Sequence, residues 1–291
     1  MNCRINKFAC AAALCLMLTS CYGSWNIFYK GNDVDYRTTS MLKVGTASDP
    51  NQSVFTASGV SSVSGTYKVL VLSDIHAGYT GRTPPDRKLF RWLNSVKDTS
   101  EAPQFMLCLG DTSDTGEQSQ FDEYNAFCQK LKDDYDIKLI FNAAGNHDIY
   151  QSHWDVWKKN CYPYTSFYKF ETAGFSWYCL DTASGTISKQ QYDILTSELA
   201  GDTKPKVVFS HYPLSEYNLA FGLGDTTERN LLISKFIKSN VKCYLGGHNH
   251  YSKETWLGFP DYECPSYRYN YSWTVVTVNE STGSVTAEFF K

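Results

Sequence analysis

From Tyr67 onward, short continuous apolar runs alternate with stretches in which apolar residues recur at helical spacing. The runs are YKVLVLSD, PQFMLCLGD, IKLIFNAAGNHD, GFSWYCLD, PKVVFSHYP and VKCYLGGHNH. Runs this short, bounded by Gly, Asp, Asn and Pro, read as buried strands rather than helix segments. Between them the pattern predicts a helix starting near Pro84 and Pro85, where proline suits the first turn, and helices over 118–132, around Trp154, over 188–199 and over 226–238. The tail, YNYSWTVVTVNESTGSVTAEFF, reads as a hairpin turning at Ser281–Gly283. Strands alternating with helices in this way predict an α/β domain over residues 67–291.

The chain before Tyr67 has a different pattern. Arg4 and Lys7 precede a short apolar stretch, FACAAALCLMLTS, which is the layout of an export signal and too short for a membrane-spanning helix of about 20 residues. The stretch ends in LTSC, which resembles the lipobox of bacterial lipoprotein precursors. That resemblance implies cleavage after residue 20, acyl chains on Cys21, and a membrane-anchored protein exported to the cell envelope, facing the periplasm or the surface. Residues 21–66 then read as a polar leader, with ASGVSSVSGTYK (57–68) as a flexible Ser/Gly linker. NIFYKGNDVDYRTTSMLKV, ahead of it, is a candidate edge strand.

Composition narrows the partners. A formal net charge of −3 gives no basic field for nucleic acid, so no nucleic-acid partner is expected. An anionic substrate stays open, since a metal can supply local positive charge. Cys108, Cys179 and Cys243 sit in apolar runs as small hydrophobes, while Cys161 and Cys264 fall in predicted loops where an exported protein could pair them.

The chemistry lies at the ends of the runs. They close with Asp74 and His76, with Asp111 and Asp114, with Asn146, His147 and Asp148, with His211, and with His248 and His250. Ligands of open α/β sheets bind at the carboxyl ends of strands, so these residues can meet although they are far apart in sequence. Five of the six histidines fall in these motifs and only His153, placed at a helix end, is left over. Residues i and i+2 share a face of a strand, so Asp74 with His76, and His248 with His250, can each grip one centre. Glycines before Asp111, Asn146 and His248 let the backbone come close to it. Carboxylate, imidazole and amide oxygen suit Zn²⁺, Mn²⁺ or Fe²⁺, and the number of such groups suits two ions rather than one.

DxH, GDxxD, GNHD, a lone His and GHxH, in that order, closely resemble the calcineurin-like metallophosphoesterase superfamily. The resemblance implies a four-layer α/β/β/α sandwich with two central mixed β-sheets. It implies that Asp74, His76 and His250 hold one divalent ion, that Asn146, His211 and His248 hold the other, and that Asp111 bridges both. The implied reaction is hydrolysis of phosphate mono- or diesters by in-line attack of a bridging hydroxide, on a phosphorylated small-molecule substrate. His147 is implied to contact the phosphate and either protonate the leaving oxygen or stabilise the developing charge, and Asp148 to orient His147 and favour its charged form. Asp114 stands where purple acid phosphatases carry an iron-binding tyrosine, which argues against that coloured site. It is either an outer carboxylate of the centre or a solvated turn residue.

The remaining signals are softer. The aromatics of YSKETWLGFPDYECPSYRYNYSW read first as strand formers and core fillers, and second as a pocket wall. Arg82 reads as a solvated loop residue. The glycines of FGLGDTTER lack a P-loop pattern. The rival to an enzyme is a binding or scaffold protein that keeps the fold without turnover.

Overall fold

The computed structural model describes residues 33–216 and 222–291. The export signal and Cys21 lie outside the described residues, as does part of the loop after His211. Among the described residues no helix is long and apolar enough to cross a membrane.

Among the described residues twelve strands form two mixed sheets: β1 (Leu42–Lys43), β2 (Thr66–Leu72), β3 (Pro103–Cys108), β4 (Ile140–Asn142), β5 (Tyr168–Glu171), β6 (Ser176–Cys179), β7 (Lys206–Phe209), β8 (Val241–Gly246), β9 (Lys253–Trp256), β10 (Pro260–Glu263), β11 (Trp273–Asn279) and β12 (Ser284–Phe290). The seven-stranded sheet runs β1-β5-β6-β7-β8-β10-β9 and the five-stranded sheet β12-β11-β2-β3-β4. β2, β3 and β4 are mutually parallel, and so are β6, β7, β8 and β10.

Alternation along each strand explains why the runs are apolar throughout. Val69 and Val71 of β2, Phe105 and Leu107 of β3, Val207 and Phe209 of β7, and Cys243 and Leu245 of β8 point into one core between the sheets. Leu70, Leu72, Met106 and Cys108 point the other way, under the helices Asp86–Val96, Gln118–Tyr135 and Trp154–Asn160. Val208 and Tyr244 meet Leu195, Leu199, Leu232 and Phe236 of the helices Ser188–Gly201 and Thr226–Lys238. Each of these inner strands has two faces and both are dry, so period-2 patterning vanishes from their sequence. The layers are helix, sheet, sheet, helix.

The expected linker is not one. Within residues 57–68 a helix (Gln52–Ser58) ends, a 3₁₀ turn (Val60–Ser62) follows, and β2 begins at Thr66. Val60 and Val63 are buried in the core between the sheets, with Phe55 and Val44. Serine and glycine set a local bias toward flexibility, but two well-placed valines bury enough surface to override it. The upstream stretch does supply an edge strand, β1, paired in parallel with β5.

The same segment is locked by a buried ion pair. Arg37 donates Nε to Asp181 Oδ2 at 2.6 Å and Nη2 to Asp181 Oδ1 at 2.8 Å, and Ser166 Oγ donates to Oδ2 at 2.6 Å. Removing one partner of a buried pair strands the other charge, so Arg37→Ala is expected to lower stability by about 3–5 kcal/mol. Urea unfolding measures this; a loss below about 1 kcal/mol would show that the segment is a dispensable leader.

All six cysteines from Cys108 to Cys264 are free and buried. Cys161 and Cys264 do not pair; they sit in different cores, one under the helices of the five-stranded sheet and one between the sheets.

Candidate metal centre

β2, β3 and β4 in one sheet, and β7 and β8 in the other, end at the same edge of the sandwich. Loop-to-loop hydrogen bonds hold these ends together: Asp74 N to Gly110 O at 3.1 Å, His76 N to Asp111 O at 2.9 Å and Gly247 N to His211 O at 2.7 Å. His248 N donates across the sheets to Asp74 Oδ2 at 3.1 Å.

The expected i/i+2 strand geometry is not how the side chains are aimed. β2 stops at Leu72 and β8 at Gly246, and the candidates lie beyond them in left-handed backbone. Asp74 (φ 53°), His76 (45°), Asp111 (49°), His248 (70°) and His250 (64°) all have positive φ without being glycine. Such a residue costs about 1–2 kcal/mol and persists only where its surroundings impose it, which is common at functional sites. Nothing in the sequence marks these five positions as left-handed. The glycines were legible for a different reason. A Cβ on Gly145 would lie 2.2 Å from Asp111 N, and one on Gly247 would lie 1.8 Å from Ser73 Oγ.

The side chains gather into adjoining groups. Asp74, His76 and His250 form one and Asp111, His211 and His248 another, each with ligand atoms within 4.8 Å of one another. His250 Nε2 is 3.2 Å from Asp74 Oδ1. Asn146 Oδ1 and His248 Nδ1 lie 3.0 and 3.2 Å from His211 Nε2. Asp111 Oδ2 stands between the groups, 3.3 Å from His211 Nε2 and 3.9 Å from His76 Nε2. Thus Asp74 and His76 do share a group, whereas His248 and His250 divide between two.

The donor atoms fit divalent cations. Asp74 Oδ1 and His76 Nε2 are buried without a hydrogen-bond partner, a state that costs about 1–3 kcal/mol per group unless something else satisfies it. The outward nitrogens are already engaged. His211 Nδ1 meets Leu109 O at 2.8 Å, and His76 Nδ1 lies 3.2 Å from Asp114 Oδ1, near enough for charge attraction though not aligned as a hydrogen bond. Nε2 of each ring is left for the centre, the usual arrangement of metal-bound histidine. Asp114 stands behind His76, with a quarter of its side chain exposed.

Charge is tightly coupled here. Burial opposes ionisation of Asp111, but the His211, His147 and His76 rings overcome it and hold the carboxyl well below the usual carboxylate range. Burial likewise disfavours a charged His211, but Asp111 and Asp74 push it up to about 9. A cation binding here would replace protons, so metal uptake should release acid.

His147 and Asp148 part ways. His147 donates its backbone N–H to Asp111 Oδ1 at 2.8 Å, and its Nδ1 meets the Asp114 carbonyl at 2.7 Å. Asp148 does not orient it. The buried Asp148 carboxylate accepts from Thr112 Oγ1 (2.5 Å), Ser113 N (2.9 Å) and Ser113 Oγ (3.0 Å), and from Gly145 N (3.0 Å). It ties the loop after β3 to the loop after β4. Adjacency in sequence suggested a contact that the 3₁₀ turn beginning at His147 prevents, because it sends successive side chains in different directions. His153 sits at the start of the helix Trp154–Asn160, as expected, with Nδ1 3.0 Å from Thr115 O.

Several residues of the site escaped the sequence reading. Tyr212 stacks on His248 at 4.0 Å, and Tyr269 stacks on His250 at 4.7 Å. Arg82 is not simply solvated: its guanidinium lies over Tyr269 at 5.6 Å. Behind His248, buried Glu263 accepts from Asn249 Nδ2 at 3.0 Å and Ser215 Oγ at 2.6 Å.

Asp261, fully buried beside Glu263, accepts from Ser215 N at 2.7 Å and has its Oδ1 without a partner. Burial first, and then the Glu263 carboxylate, push it up to about 7 from 3.8. Between these values the folded protein keeps a proton that the unfolded chain has lost, so this group's contribution falls as pH rises through the window. Asp261→Asn should therefore gain stability over wild type on going from pH 5 to pH 8, by a few kcal/mol at about 1.4 kcal/mol per unit. Urea midpoints at the two pH values that move in parallel for both proteins would remove Asp261 as the cause.

Comparison with known proteins agrees with this geometry at the level of class and then of family. The fold is that of the metallophosphoesterases, and the site holds residues able to bind metal. The chain belongs to the calcineurin-like phosphoesterase family, which matches residues 67–252. A Fibrobacter succinogenes protein described as a probable cyclic nucleotide phosphodiesterase is 26% identical over 194 residues, 63% of this chain and 72% of its own. A dimetal phosphatase from Danio rerio superposes with a TM-score of 0.53 at 13% identity, over 77% of this chain and 99% of that one. GAP50, described as the anchor in the inner membrane complex of Plasmodium, superposes with a TM-score of 0.50 at 13% identity, over 78% and 89%. These two structural likenesses speak for the fold alone.

Proposed function

We propose that the protein is a dinuclear metal-dependent phosphoesterase that hydrolyses phosphate mono- or diesters. One observation carries the reading: Asp111 Oδ2 stands between two groups of ligand-type atoms, with His76 Nε2 on one side and His211 Nε2 on the other. Asp74, His76 and His250 would hold one ion, Asn146, His211 and His248 the other, and Asp111 both. When bound, two such ions supply positive charge for the phosphoryl oxygens and make hydroxide available near neutral pH. Mn, Zn and Fe all suit these donors.

The chain's own residues position and protonate. The Asp114 carbonyl can only accept, so it keeps a proton on His147 Nδ1; the doubly protonated ring would then give its second proton from Nε2 to the departing oxygen and be left as the neutral Nδ1–H tautomer. The Asp148 bonds hold the loops bearing Asp111 and His147 in one register. The description of the Fibrobacter relative makes phosphodiesters the first substrates to try. Protein reconstituted with Mn²⁺ or Zn²⁺ should turn over aryl phosphate mono- or diesters and stop on chelation. Folded protein that binds the ions and hydrolyses neither class would instead be a binding protein on the same fold.

Export and lipid attachment at Cys21 belong to the same proposal and rest on the LTSC pattern. Labelling with radioactive palmitate should be lost in Cys21→Ser; equal labelling of both proteins would sink the anchor.

A further inference from the structure

The segment 266–269 lies beyond the family match and is nevertheless built into the site. Ser266 bridges Ser73, and its Oγ donates to Asp74 O at 3.0 Å. Tyr267 N donates to Ser73 O at 2.8 Å. Buried Arg268 donates Nε to Ile75 O at 2.9 Å and Nη1 to Arg82 O at 3.1 Å. The short helix Tyr267–Asn270 is thereby fixed to the loop that carries Asp74 and His76.

Tyr269 is held over that loop. Its ring stacks on His250 with planes 14° apart and meets His76 edge-on at 5.3 Å. Arg82 clamps it, with Nη1 donating to Tyr269 O at 2.6 Å and the guanidinium against the ring. Tyr79 closes in at 5.2 Å. The contrast with the other rings is informative. A metal-bound histidine is normally oriented by a hydrogen bond at its outward nitrogen. For this His211 has Leu109 O at hydrogen-bond distance, and His76 has the Asp114 carboxylate at 3.2 Å, near enough for charge attraction. Among the described residues no carbonyl or carboxylate oxygen takes that place for His250, whose side chain is about a third exposed and whose backbone is left-handed. What fixes the plane of its ring is the face of Tyr269.

We propose that Tyr269, clamped by Arg82, is a positioning residue for His250 and sets the affinity of the ion held by Asp74, His76 and His250 relative to its neighbour. This rests on the dinuclear reading above. Metal-free protein is titrated with Mn²⁺ by calorimetry and by the electron paramagnetic resonance of free Mn²⁺. Wild type should take two ions. Tyr269→Ala should keep one at wild-type affinity and bind the other about 10- to 100-fold more weakly, the range for loss of an orienting partner. Tyr269→Phe should restore both, since the ring and not the hydroxyl does the orienting, and Arg82→Ala should fall between. Tyr269→Ala that binds both ions as wild type does, or Tyr269→Phe that fails equally, overturns the proposal.

A second readout needs no metal. Stacking shifts the His250 Cε1–H resonance upfield in the metal-free protein, and Tyr269→Ala should release it downfield. A resonance that does not move overturns the positioning role by itself. Wild type that takes a single ion defeats the dinuclear reading, and the resonance then decides the role of Tyr269 separately.

Discussion

Asp111→Ala is expected to lower kcat/KM by about 10³-fold or more, beyond the roughly 10- to 100-fold that loss of an outer partner costs, and to leave the protein short of metal. Asp111 Oδ2 lies 3.3 Å from His211 Nε2 and 3.9 Å from His76 Nε2, one ring nitrogen from each group. Its other oxygen receives the His147 N–H, so its removal also loosens the loop carrying the proposed acid. His211 should lose most of what pushes it up to about 9, since Asp111 is the chief charge opposing burial there. Asp111→Asn keeps the volume and one acceptor oxygen, so it should fold as wild type does while losing metal. Elemental analysis of both variants alongside turnover checks this. A well-folded alanine variant that keeps two ions and most of its activity would end the bridging assignment.

His147→Asn is expected to lower kcat by about 10²- to 10⁴-fold on esters with a poor leaving group, the range for a general acid. The metal content should not change. With 4-nitrophenolate leaving, which needs little protonation, the loss should shrink, and this difference separates proton delivery from simple disruption. A rival placement is visible in the structure: His76, Asp114 and His147 also gather within 4.8 Å and could themselves hold an ion. Loss of metal from His147→Asn, with equal damage on both kinds of ester, would make His147 a ligand and defeat the acid role.

Local patterns were readable where local forces decide. The helix expected over 226–238 is found at Thr226–Lys238, with Asp225 Oδ1 accepting from Thr227 N and Glu228 N at its start. The closing hairpin of β11 and β12 follows from β-branched runs around a Ser/Gly turn. The supposed linker failed because the burial of Val60 and Val63 depends on a sheet formed by later residues. The pairing considered for Cys161 and Cys264 failed because predicted loops are not always surface loops: each lies buried in a different core. The role suggested for Asp148 failed because neighbours in sequence need not face one another.

The order and chemical type of the motif residues are legible in the sequence, each after a short apolar run that reads as a buried strand, and their resemblance to a known motif set pointed to the family. Tertiary structure decided which atoms meet. It split His248 from His250, set Asp111 between the groups, turned five non-glycine residues into left-handed backbone and brought Tyr269 from beyond the matched region onto His250. The reason is physical. Strand identity follows from side chains a few residues apart, whereas aiming a ring to within an ångström depends on hydrogen bonds between loops of two separate sheets. Those partners are contiguous only once the chain has folded.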